Sequence, residues 1–106
     1  MIIEIRHPEE FEQYVSSGLV LVDFNAVWCG PCRMLHPVLE QLDKEGTFQD
    51  LKILSVDVDK VPQISARFGI QLIPTLFLYN NGMRINTAQG YKSLPDLKSF
   101  ISNSLK

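Results

Sequence analysis

Apolar and polar positions divide this chain into short blocks of alternating type. Ile2 to Ile5 reads as a strand. Pro8 suits a first helical turn and opens a helix over Pro8 to Ser17, with Phe11, Tyr14 and Val15 on one apolar face and Gly18 as its stop. Leu19-Val20-Leu21-Val22-Asp23-Phe24 is apolar on both alternating faces, the pattern of a central strand covered by helices on each side. Residues 30–45 then carry a helical period through Met34, Leu35, Val38, Leu39 and Leu42, and Gly46 closes it. Because the period continues beyond Pro37, that proline is expected to bend the helix, not end it.

Leu51 to Val58 is a second β-rich apolar run, followed by a short helix over Val61 to Phe68 with Pro62 near its start and Gly69 after it. Thr75–Tyr79 and Met83–Ala88 flank Asn80-Asn81-Gly82, a hairpin signal. Ser93 and Asp96 form a capping-box pattern before a helix with Leu97, Phe100, Ile101 and Leu105 on one face. The predicted order, β-α-β-α-β-α-β-β-α, gives an α/β fold. Its mixed sheet has about five strands, parallel in the first part and antiparallel at one edge, with about four helices on its two faces.

At 106 residues the chain suits one domain spanning 1–106, and 45% hydrophobic with 21% charged residues is a globular balance. A net charge of -2 without a lysine or arginine run provides no footprint for nucleic acid or an anionic membrane. The start, MIIEIRHPEEFEQY, lacks the basic and apolar regions of a secretory signal, and no apolar run reaches the roughly 18 residues of a spanning helix. The expected location is the cytoplasm.

Both cysteines fall within Val27-Trp28-Cys29-Gly30-Pro31-Cys32-Arg33, beside the single tryptophan. Two cysteines are too few for a disulfide framework, which leaves a redox site, half a metal site, or chance. The pair stands where the central strand ends and the long helix begins. Unpaired N–H groups and the positive end of the helix dipole stabilise an anion there, so Cys29 reads as the nucleophile. Cys32, three positions on, falls on the same face of the turn and reads as the resolving thiol. Gly30 admits a partner's backbone, and Pro31 stiffens the turn where no N–H is needed. A structural zinc needs about four ligands, and only His36 and His7 could add to the cysteines. His36 itself reads as a surface or packing residue.

Asp23 is the second unusual residue. A buried acid costs free energy unless it is solvated or used, and burial raises its pKa. It reads either as a proton carrier for Cys32 through water or as a solvated strand-end carboxylate. Its alternation with Leu19 and Leu21 favours burial. Ile73-Pro74-Thr75 enters the fourth strand and is a weak signal alone.

Taken together, WCGPC at residues 28–32 after a strand carrying Asp23, Pro37 in the next helix, Ile73-Pro74-Thr75, Asn81-Gly82 and Gly90 closely resemble the thioredoxin family over nearly the whole chain. The resemblance implies a thioredoxin fold and a protein-disulfide reductase acting as an electron carrier in cell redox homeostasis. Cys29 would attack a substrate disulfide, Cys32 would resolve the mixed disulfide, and a thioredoxin reductase would restore the dithiol. No cofactor would be bound to this chain; NADPH and flavin would serve indirectly through the reductase, and no metal is implied. Pro74 would be cis beside the sulfurs. Trp28, Gly30, Pro31, Val58, Ile73, Gly90 and Tyr91 would line an apolar docking surface, with the Ile73 backbone pairing with an extended substrate segment. The implied partners are the reductase and disulfide-containing proteins, and the implied state a monomer.

Three positions depart from the family pattern. Leu72 stands where glycine is frequent and is expected to alter which proteins dock. Ser55 replaces a lysine often found beside the buried acid, so Asp23 is expected to titrate higher. Asn25 replaces a frequent aromatic, with no effect assigned to it. A docking module with an incidental disulfide is the rival outside redox chemistry, and an intact CGPC argues against it. An oxidase or isomerase usually has His between its cysteines, where this chain has Pro31.

Overall fold

A computed structural model describes residues 1–106. Nine elements follow in the predicted order: β1 Ile2–Glu4, α1 Pro8–Val15, β2 Leu19–Asn25, α2 Gly30–Glu45, β3 Lys52–Asp57, α3 Pro62–Arg67, β4 Thr75–Asn80, β5 Met83–Gln89 and α4 Leu94–Ser104. They form one five-stranded sheet of order β1-β3-β2-β4-β5. β1 and β2 run parallel to β3, whereas β4 is antiparallel to both β2 and β5.

The two apolar faces of β2 separate into two cores. Val20, Val22 and Phe24 pack with Phe11 and Val15 of α1, Ile64 of α3 and Phe77 of β4. Leu21 packs on the opposite side with Leu35, Leu39 and Leu42 of α2 and Leu97 and Ile101 of α4. Alternation therefore turns Asp23, two residues after Leu21, toward the α2 side, and it is buried at 2% exposure.

α2 continues through Pro37 and ends at Gly46, whose φ of 66° is the left-handed conformation that favours glycine at this position. Asn81 and Gly82, at φ 52° and 87°, make the tight turn between β4 and β5 with the two positive φ values a type I′ hairpin requires. At α4 the Ser93 hydroxyl accepts from the Asp96 amide at 3.3 Å, giving the expected N-cap.

Two apolar residues counted in the helical periods are exposed. Met34 is 62% exposed because it falls beyond the stripe formed by Leu35, Leu39 and Leu42. Leu105 is the C-cap of α4, where the helix has ended, and is 43% exposed.

Candidate active site

Cys29 is the N-cap of α2, with extended backbone at φ -89° and ψ 112°, and its sulfur accepts from the Cys32 amide at 3.3 Å. Its carbonyl accepts from Arg33 N at 3.1 Å, the first bond of the helix. The loop before it is held from the same turn: Arg33 Nη1 donates to the Val27 carbonyl at 2.9 Å. Gly30 and Pro31 begin the helix, where the missing proline N–H leaves no bond unmade. Cys29 and Cys32 are joined in a disulfide with Cα atoms 5.3 Å apart, and both are buried.

Ala26 completes the small cluster around the cysteines, and Val58 and Ile73 pack against it. The Ile73–Pro74 peptide is cis, as the family resemblance implied. Cys29 Sγ is 3.7 Å from the Ile73 carbonyl oxygen, so the turn before β4 meets the turn before α2 at the sulfur. Gly90 is attached to the same turn, its N–H donating to the Pro74 carbonyl at 2.8 Å. Among the other residues expected at a docking surface, Trp28 is 65%, Leu72 59% and Tyr91 44% exposed. The Trp28 ring is oriented from elsewhere, because its Nε1 donates to Asp59 Oδ2 at 2.8 Å.

Asp23 is opposite Ser55 on β3 and Leu76 on β4. It lines a cavity of about 230 Å³, bordered mostly by polar and charged residues, together with Cys32, Asn25, Ser55 and His36. Burial raises the carboxyl's pKa to about 6, against the opposing effects of the Asn25 hydrogen bond and the charge of His36. Asp23 is buried, as its alternation with Leu19 and Leu21 favoured, and the alternative of a solvated strand-end carboxylate is set aside. His36 is itself exposed on α2, 3.5 Å from Glu40 one turn on. No three His, Cys, Asp or Glu side chains come together in an arrangement able to hold a metal ion.

The sequence reading did not identify Val27, Arg33 or Asp59 at this site, and gave Asn25 no role. Val27 is a 70% exposed apolar residue beside Trp28. The carboxylate of Asp59 becomes a signal only once the turn after β3 is known to approach the loop before α2.

Comparison with known proteins places this geometry. The thioredoxin family model matches residues 2–103. Listeria monocytogenes thioredoxin is 46% identical over 92 residues, 87% of this chain and 88% of the relative. Chlamydia muridarum thioredoxin is 42% identical over 101 residues, covering 95% and 97%. Among solved structures, Malassezia sympodialis thioredoxin superposes with a TM-score of 0.86 at 32% identity, covering 100% of this chain and 92% of that one. Plasmodium falciparum thioredoxin gives 0.85 at 33% identity, covering 95% and 97%. The chain has a thioredoxin fold and belongs to the thioredoxin family of disulfide oxidoreductases, with Cys29 and Cys32 as its pair for dithiol–disulfide exchange.

Proposed function

We propose that the chain is a general protein-disulfide reductase and electron carrier, acting as a monomeric single domain over residues 1–106 in the cytoplasm. No helix is long and apolar enough to cross a membrane. The observation that carries the reading is Cys29 at the N-cap of a 16-residue helix with Cys32 closed onto it.

In the reduced protein the Cys29 thiolate attacks one sulfur of a substrate disulfide. A Cys29–substrate bond forms as the substrate S–S bond breaks and a first substrate thiolate leaves. Cys32 then loses its proton through water to Asp23 and attacks Cys29 Sγ. The Cys29–Cys32 disulfide forms, the second substrate thiol is released, and two electrons have passed from the chain to the substrate. The shared cavity of Asp23 and Cys32 supports this proton route. A flavin-containing, NADPH-dependent thioredoxin reductase then returns two electrons to the pair. The chain binds no cofactor of its own.

Docking falls to Trp28, Gly30, Pro31, Val58, Leu72, Ile73, Gly90 and Tyr91 around the sulfurs, with Pro74 holding the Ile73 backbone for an extended substrate segment. A Cβ on Gly30 would meet nothing within 4 Å, so the space outside it is open to a partner. The test is reduction of a protein disulfide by the parent and Cys29→Ser, driven by NADPH with a thioredoxin reductase and, in parallel, by a chemical reductant. Turnover by the parent and none by the variant is expected. Equal rates would overturn the reading.

A further inference from the structure

Asn25 belongs to β2, two residues past Asp23 and on the same side of the sheet. Its Nδ2 is 3.1 Å from Asp23 Oδ2, 2.9 Å from Ser55 Oγ on β3 and 3.1 Å from the Asp23 carbonyl. Carboxylate and carbonyl oxygens only accept, so the amide nitrogen is the end of Asn25 that must face them. We propose that Asn25 is the positioning residue of the Asp23 carboxyl, its neutral amide fastening Oδ2 to Ser55 across the two central strands and leaving Oδ1 as the oxygen that exchanges a proton.

The charged groups around the cavity make their hydrogen bonds and ion pairs elsewhere, although the charge of His36 still acts on Asp23. Lys60 pairs with Glu4 of β1 at 3.6 Å, and Asp57 Oδ1 accepts from the Asp59 and Lys60 amides. From α2, Arg33 is bound to Val27 and His36 faces Glu40. Asn25 is therefore the carboxyl's hydrogen-bond partner, while Oδ1 is buried with none. A donor on one oxygen favours the ionised form. Of the cavity's cations only His36 does the same, through its charge and without a hydrogen bond to the carboxyl, and its effect is smaller than that of the Asn25 amide. The amide thus opposes the effect of burial without adding a charge.

This inference rests on Asp23 as proton carrier, so two readouts are needed. The first is the carboxyl itself, followed by carbon NMR through a pH titration of the oxidised protein, in the parent and in Asn25→Ala and Asn25→Leu. Losing the donor disfavours the carboxylate, so the midpoint is expected to rise by about one pH unit in whichever variant folds. An unmoved midpoint overturns the proposal. The second is the pH profile of mixed-disulfide resolution. It should shift upward with Asn25→Ala, and the same change made on top of Asp23→Asn should leave the profile where Asp23→Asn alone puts it. A shifted carboxyl midpoint with an unshifted profile supports the positioning by Asn25 and removes Asp23 from the proton route.

Discussion

Trp28 Nε1 donates to Asp59 Oδ2 at 2.8 Å, so the residue before Cys29 is anchored to the turn after β3 and not to the helix that follows it. The bond holds a largely exposed indole in one orientation beside Cys29. Trp28 is the sole tryptophan, which makes it a reporter of the pair. Its emission is expected to differ between the disulfide and dithiol states. Asp59→Ala should change that difference and cost about 1 kcal/mol or less in urea unfolding, since the bond is solvent-exposed. Identical redox spectra in parent and variant would show that the bond does not set the ring's orientation.

Asp23 predicts a pH dependence of stability. Its pKa is about 6 in the folded chain against 3.8 for the ordinary group, so between these values the folded state holds a proton that the unfolded state has lost. The unfolding free energy therefore falls as pH rises from about 4 to about 6, then levels off, a loss on the order of 3 kcal/mol. Asp23→Asn has no such term. In the oxidised protein, denaturant unfolding should find the variant's advantage over the parent growing across that window and constant above it. A difference independent of pH would contradict the burial argument.

Leu72 predicts selectivity. Its side chain is mostly exposed one residue before Ile73, so Leu72→Ala should leave stability within about 0.5 kcal/mol. Reduction of a small disulfide should be unchanged. Reduction of protein disulfides should change by roughly threefold or more, worth about 0.7 kcal/mol in the transition state. Equal effects on both classes would remove Leu72 from the docking surface.

What was legible in the sequence was whatever a local period or spacing could encode. The two-faced run Leu19–Phe24 announced a central strand, Asn81-Gly82 a hairpin, and Cys29 to Cys32 a helix start. The side of the sheet that Asp23 would take followed from alternation alone. What was not legible depended on register between strands far apart in the chain. Asn25 acquires its role only because Asp23 pairs with Ser55 across β2 and β3, and no local pattern specifies that pairing. Trp28 and Asp59 likewise meet through a tertiary approach of two turns. The exposed Met34 shows the opposite failure, an apolar residue near the helical period yet outside the buried stripe.

Positioning Cys29 at the N-cap of α2 should keep its thiolate populated near neutral pH, because the Cys32 N–H points at the sulfur and the positive end of the helix dipole lies there. The direct measurement is the rate of iodoacetamide alkylation of the reduced protein at pH 7, with the Cys32→Ser variant isolating Cys29 and an unstructured cysteine peptide as reference. Alkylation several-fold faster than the peptide, slowing to the peptide's rate when the fold is denatured, is the predicted result. A rate no faster than the peptide's would contradict the account.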